Sequence, residues 1–288
     1  MAQVELVHVR TADGLGLDGA LRLPEATGST LPIDGCIMVH GRGGNFYGPG
    51  LFDDFGDGLL DRGCAVMRIN TRGSGEVGLA RTETGRLLIG SACEVVGQCR
   101  EDLDTWIGAI AERGYKRIGL WGHSLGALKA IYYQARTHDP RVTCMVAGSP
   151  PWLAYEHFMA QPEGPEIAAA YKKAKDLINA GRGTEIFQVA APLRGTLSTA
   201  SQYVEKYGPE DNYNILNDLP NVTCPTLVTL GTEEAKTMAA FRGLYEKVKA
   251  LSNRQKNLDV VLIQGADHGY TGVREETWSH IQEWFEAF

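Results

Sequence analysis

Gly122-His123-Ser124-Leu125-Gly126 is the stretch on which the reading of the fold turns. It follows the apolar run Arg117 to Trp121 and precedes Leu125 to Thr137, where apolar residues recur at helical spacing. Strand, five-residue turn and helix in register put Ser124 on a sharp bend that lifts its hydroxyl above the end of a sheet. The two glycines answer a steric need, because a Cβ at either position would collide with neighbouring backbone. Ala127 keeps the surface small where the helix packs back on the turn.

Outward from this turn the alternation continues. Cys36 to His40, Cys64 to Ile69, Val142 to Ala147, Thr226 to Leu230 and Leu258 to Ile263 read as buried strands. Leu51 to Arg62, Gln98 to Arg113, Ala235 to Leu251 and Glu275 to Phe288 read as amphipathic helices. Such alternation predicts an α/β fold, a mostly parallel sheet with helices on both faces. Val4 to Val9 and Leu15 to Leu23, around Ala12-Asp13-Gly14, predict an antiparallel hairpin ahead of it, which brings the sheet to eight strands. The alternation stops between Ser149 and Val222. With Ser149-Pro150-Pro151, then Pro162, Pro165, Pro192 and Pro209, and a helical run from Glu166 to Ala180, this stretch is too long for a connection. It is read as an inserted cap or lid at 149–222 on a core formed by 1–148 and 223–288.

The length of 288 residues allows two domains of ~150 residues or one large domain with an insertion. A composition 43% hydrophobic and 22% charged is that of a folded globular chain. Lys and Arg number 28 against 35 Asp and Glu, a formal charge of −7. A net negative surface gives neither nucleic acid nor an anionic membrane an electrostatic footing. No apolar run approaches the ~18 to 20 residues of a membrane span, and Met1 to Arg10 alternates polar and apolar residues, so the expected location is the cytoplasm. Cys36, Cys64, Cys144 and Cys224 lie in or beside apolar runs and read as reduced core thiols. Cys93 and Cys99 have no histidine cluster beside them, and no metal site is expected.

The Gly-x-Ser-x-Gly turn with its strand and helix, together with the hairpin, resembles the α/β-hydrolase superfamily over nearly the whole chain outside the insertion. The resemblance implies a Ser, acid, His triad in that chain order, the acid after a late strand and the histidine after the last. Gly265-Ala266-Asp267-His268-Gly269 follows Leu258 to Ile263 and is similar to the family's histidine loop. A serine hydroxyl needs an imidazole to take its proton and return it to the leaving group, which makes His268 the expected base for Ser124. His8, His138, His157 and His280 lack that context and read as surface or packing residues. Where the family usually shows Gly-x-x-Asp, this chain has Gly231-Thr232-Glu233-Glu234, which puts Glu234 at the acid position. Glu233 is its rival, and Asp267 reads as a loop-structuring residue. His40-Gly41-Arg42-Gly43-Gly44 resembles the family's His-Gly loop, so the resemblance implies oxyanion donors in the N–H groups of Leu125 and Arg42. Asn70-Thr71-Arg72-Gly73-Ser74-Gly75 resembles the family's arginine-glycine turn, a brace for the site, with substrate carboxylate binding by Arg72 as the alternative.

Phe46, Tyr47, Trp152, Tyr155, Phe158 and Tyr203, with Tyr207, are the candidate substrate-binding residues and suggest an apolar or aromatic acyl or alcohol group. Ser124 stands where dehalogenases and epoxide hydrolases of this fold carry an aspartate. Leu125 in place of Met, and Gly122-His123-Ser124 in place of Gly-Asn-Ser, speak against perhydrolysis and carbon–carbon cleavage. Ser198 to Tyr213, with Asn45-Phe46-Tyr47, resembles the siderophore-ester hydrolases of fungi and their bacterial relatives. The resulting expectation is a serine carboxylesterase or lactonase that works through an acyl-enzyme on a small ester or lactone, such as a secondary metabolite, with no cofactor. Acyl transfer or carbon–carbon hydrolysis on the same triad is one alternative, and a non-catalytic binding protein that keeps the fold is another.

Overall fold

In the computed structural model, which describes residues 4–26, 28–48, 50–82 and 85–287, the chain starts on β1 (Val4–Arg10) and β2 (Gly16–Arg22). These pair antiparallel, Val4 opposite Arg22 and Arg10 opposite Gly16. Then come β3 (Gly35–Val39), α1 (Leu51–Asp61), β4 (Ala65–Ile69), β5 (Gly78–Thr82), β6 (Gly85–Ile89), α2 (Cys99–Glu112), β7 (Ile118–His123), α3 (Leu125–Thr137) and β8 (Val142–Gly148). The chain next leaves the sheet for α4 (Tyr155–Met159), α5 (Gly164–Asn179), β9 (Ile186–Gln188), β10 (Leu197–Thr199), α6 (Ala200–Tyr207) and α7 (Ile215–Asp218). It returns through β11 (Thr226–Gly231), α8 (Thr232–Thr237), α9 (Leu244–Ser252), β12 (Leu258–Ile263) and α10 (Arg274–Glu286). The predicted stretches that reach Met1 and Phe288 end outside the described residues.

One eight-stranded sheet runs in the order β1-β2-β4-β3-β7-β8-β11-β12, parallel from β4 to β12. The central strands are mostly apolar because both faces are covered. Along β3, Ile37 and Val39 join the cluster that includes Trp106 and Ile107 of α2 and Leu128 of α3. Cys36 and Met38 face the other way, toward Phe55 and Leu59 of α1 and Ile281 and Phe285 of α10. That two-residue alternation hides every side chain of the strand.

Two elements differ from the sequence reading. Ala235 to Leu251 was expected as one helix, but the chain forms α8, a 3-10 turn at Ala239–Phe241, and then α9. Met238 is extended and Gly243 left-handed at φ 68°, and the turn between them faces the candidate site. The ribbon of β5 and β6 has no counterpart in the sequence reading. Its leucines Leu79, Leu87 and Leu88 are exposed, so no burial pattern marks it.

The stretch between β8 and β11 shares the core rather than building its own. Phe158, Ile167, Tyr203 and Ile215 belong to the cluster that holds Leu120 of β7 and Leu128 of α3. Hydrogen bonds stitch the same segment down. Thr199 N–H donates to Ala92 O (2.8 Å), Lys206 Nζ to Ser91 O (3.0 Å), Gly97 N–H to the Tyr213 hydroxyl (2.8 Å) and Arg42 Nη2 to Leu197 O (2.7 Å). All six cysteines are free, and five are buried. Among the described residues no helix is long and apolar enough to cross a membrane.

Candidate active site

Ser124 sits between β7 and α3 at φ 55°, a left-handed backbone that a side chain rarely adopts. The turn is held by Ser124 N–H donating to Gly148 O (2.8 Å) and Ala127 N–H donating to Ser124 O (2.9 Å). A Cβ on Gly122 would run into the carbonyl of Gly126, and one on Gly126 into that of Val39. Both glycines of the motif are therefore required by contact with backbone.

His268, on the loop after β12, brings Nε2 to 2.9 Å from Ser124 Oγ, and its Nδ1 lies 2.7 Å from Glu234 Oε2. Glu234 is 1% exposed. Its other oxygen, Oε1, accepts from Gly231 N–H (2.7 Å) and from Ser149 Oγ (2.8 Å). Glu233 turns outward instead and pairs with Lys236 at 2.6 Å. Asp267 accepts the N–H groups of Gly269 and Thr271, each at 2.9 Å, and shapes the histidine loop. The three side chains that meet come from the carboxyl ends of β7, β11 and β12, the edge where α/β sheets bind ligands.

A second layer of residues was not legible as functional. Ser149, buried at φ 48°, also bonds the Tyr270 hydroxyl (2.8 Å), which reaches Thr229 Oγ1 at 2.7 Å. His123 sets Nε2 2.7 Å from His268 O, and burial, reinforced by His268, lowers its pKa to about 3. The neutral ring thus donates its Nε2–H and holds the backbone of His268. No spacing or motif announces either role.

The loop from His40 to Gly44 faces the serine. A Cβ on Gly41 would lie 3.1 Å from Ser124 Cβ, and Arg42 is the next residue along. His40 is buried, with Nδ1 2.7 Å from Gly41 O and Nε2 accepting Thr71 N–H at 3.1 Å. Burial, with a contribution from Lys129, lowers its pKa to about 4, so the folded ring stays neutral. Below the loop, Lys129 pairs with Glu94 at 2.6 Å, both out of solvent. Arg72 is fully engaged by Asp102 (2.8 Å) and Asp13 (3.0 Å), which leaves it the bracing role and no fork for a substrate.

His40 gives a stability prediction with a definite sign. Its folded pKa lies below the ordinary ~6.5, so as pH falls from there toward 4 the unfolded chain binds a proton that the folded chain refuses. Stability conferred by the neutral ring is complete above the unfolded value and falls by about 1.4 kcal/mol per pH unit within this window. Urea melts at pH 6.5 and 5.5 are expected to show a shallower pH slope for His40→Gln than for the native chain. Parallel slopes would remove His40 from this role.

A cavity of about 480 Å³ opens above Ser124 and His268. Phe241 and Met238, which follow β11, give it apolar lining, while Leu153, Pro192, Leu193 and Lys206 come from the segment after β8. Leu125 and Arg42 line it, but none of the six aromatic residues expected to bind substrate does. Phe46 meets Tyr47, which is 72% exposed; Trp152 stacks on His157 with centroids 3.8 Å apart; and Tyr155 packs against Tyr171. Phe158 and Tyr203 are wholly buried against Tyr207. Of the aromatic residues weighed from sequence, Tyr207 alone lines the cavity. An insertion that shares the core must spend its large rings on attachment, and composition cannot separate that use from ligand contact.

A family model described as the alpha/beta hydrolase family matches residues 36–278. No curated protein matches the chain at a significant level. Among solved structures the chain is similar to Est1E from Butyrivibrio proteoclasticus with ferulic acid bound, at 18% identity and a TM-score of 0.68 over 98% of both chains. It is similar to the alpha/beta hydrolase GrgF from Penicillium sp. sh18, at 16% identity and a TM-score of 0.67 over 98% of this chain and 97% of that one. The Pyrococcus furiosus esterase Pf2001 gives 18% identity and a TM-score of 0.62 over 100% of this chain and 93% of its own. At these identities the likeness is one of fold.

Proposed function

The chain belongs to the alpha/beta hydrolase family, and from that premise we propose that it is a serine hydrolase cleaving a carboxylic ester or lactone through an acyl-enzyme. The observation that carries this reading is the unbroken run of hydrogen bonds from Ser124 through His268 to Glu234, with the serine opening on a cavity. Ser124 Oγ attacks the carbonyl carbon while His268 Nε2 takes its proton and passes it to the leaving alcohol. Glu234 keeps the proton of His268 on Nδ1 and stabilises the imidazolium that forms. The N–H groups of Leu125 and Arg42 hold the oxyanion; Leu125 is the first residue of α3, where an N–H has no carbonyl one turn back to bond. The segment 149–222 serves as the roof of the site and selects the substrate.

Rates across esters of rising acyl length, lactones and amides, with rapid-quench mass spectrometry of the Ser124 peptide, test the proposal. Ester or lactone turnover with an acyl group trapped on Ser124 is expected. Turnover without acylation there would overturn it.

Ser149 enters as a positioning residue. Ser149→Ala removes one of the two donors on Glu234 Oε1, a bond to a charged group, and is expected to lower kcat by about tenfold with little change in KM. Because the effect runs through the carboxylate, the acidic limb of the pH profile should shift as well. An unchanged profile beside a lowered Tm would reduce Ser149 to a structural part.

A further inference from the structure

The cavity carries charge of one sign. Arg42 and Lys206 line it, and among its lining residues there is no aspartate or glutamate, in a chain where carboxylates outnumber cations. Lys206 is 8% exposed. Its ammonium donates to Ser91 O at 3.0 Å, which leaves two of its three N–H donors, and among the described residues it forms no ion pair within 4 Å. Its acidic neighbours act on it only from beyond ion-pair distance. Glu94 is held by Lys129, and Glu205 accepts the Tyr213 hydroxyl while burial raises its pKa to about 7. Arg42 donates to Leu197 O, on the strand that leads directly into the helix bearing Lys206, and it meets Glu76 only at 3.5 Å and near solvent. Burial disfavours the charged Lys206 ammonium, the attraction of Glu94 and Glu205 opposes this only in part, and an anion in the cavity would offset the remaining cost.

We propose that Arg42 and Lys206 form a carboxylate-binding subsite, and that the substrate is an ester whose acyl part carries a second, ionised carboxyl group, as in a half-ester of a dicarboxylic acid. The acyl side is assigned because the residue whose N–H faces the oxyanion also brings one of the two cations. The substrate assignment rests on the acyl-enzyme reading above. As the Ser124 Oγ–carbon bond forms and the ester carbon–oxygen bond breaks, the alcohol leaves with the serine proton by way of His268. The distal carboxylate stays on Arg42 and Lys206, and water then releases the dicarboxylate.

Binding and turnover separate the two claims. Calorimetry of the full-length Ser124→Ala protein with monomethyl glutarate and with neutral dimethyl glutarate reads the subsite without chemistry. The half-ester is expected to bind at least about tenfold more tightly, the worth of a charge-assisted bond. Lys206→Met in that background should erase most of this preference and Lys206→Arg should keep it. In turnover, the ratio of kcat/KM for mono-para-nitrophenyl glutarate over para-nitrophenyl pentanoate should fall about tenfold in Lys206→Met. Equal binding of half-ester and diester to the otherwise native cavity overturns the subsite, as does a folded Lys206→Met protein that keeps the full preference. If Lys206→Met fails to fold, the diester comparison and Lys206→Arg still decide. Preferential binding without acylation of Ser124 would retain the subsite and reject the acyl-enzyme; acylation without preference would do the reverse.

Discussion

Ser124→Ala is expected to lower kcat by roughly 10^4-fold or more and to abolish labelling by a fluorophosphonate. The size follows from what is removed. Without the hydroxyl, His268 Nε2 has no proton to take and no covalent intermediate can divide the reaction into two steps. What remains is the binding cavity and the oxyanion donors, which by themselves retain only a small part of the acceleration over water. The substitution is also gentle on the fold. Alanine keeps the Cβ, the left-handed backbone at φ 55° is already present, and the bonds that hold the turn are made by backbone atoms. Circular dichroism and Tm should match the native chain. Labelling of another residue, or a variant that keeps more than about one per cent of native kcat, would take the nucleophile role away from Ser124.

Glu234→Gln is expected to cost about 10^3- to 10^4-fold in kcat, while Glu233→Gln stays within about twofold of native. Glu234 Oε1 receives two donors, from Gly231 and Ser149, and the glutamine oxygen must turn to them. Its amide nitrogen then faces His268 Nδ1 and donates to it. The imidazole proton moves to Nε2, and a ring with Nε2–H cannot accept from Ser124. Glu233 lies on the outer face of the same turn, paired with Lys236, so its neutralisation leaves the tautomer alone. Equal losses in the two variants would break the assignment, and the reverse order would transfer it to Glu233.

The mostly parallel sheet and the turn that carries Ser124 follow from signals that backbone physics prints into sequence, whereas the places of His268 and Glu234 come from the resemblance to a family. β3 is a continuous apolar run and β4 departs from one only at Arg68, because both faces are covered, and Gly122 and Gly126 stand where other residues would strike carbonyls. Glu234 is set ahead of Glu233 by the family's Gly-x-x-Asp spacing, and in the fold one residue of register on a short helix turns Glu234 to the core and Glu233 toward solvent. Ser149 and Tyr270 were not legible, since their value lies in where β8 and the histidine loop converge in space. Trp152, Tyr155 and Phe158 misled because a hydrophobic ring in a segment of unknown path fits a core and a cavity equally well. Lys206 carries no signal of its own in the sequence; its burial, its place on the cavity wall and its single hydrogen bond to Ser91 single it out.

The seam between the segment after β8 and the body of the protein bears on recombination. A crossover at residues 149 and 222 that imports a relative's sequence would not exchange a self-contained cassette. It would strip the Ser91 carbonyl of the Lys206 ammonium and the Gly97 N–H of the Tyr213 hydroxyl at once. Each orphaned group that stays buried costs about 1–3 kcal/mol, and together they amount to a large part of the ~5–15 kcal/mol by which a domain stays folded. Libraries that hope to reshape specificity by shuffling should place their breakpoints inside the segment, for instance between α4 and α5, and carry β10, α6 and the 91–97 stretch of the core as one inherited block.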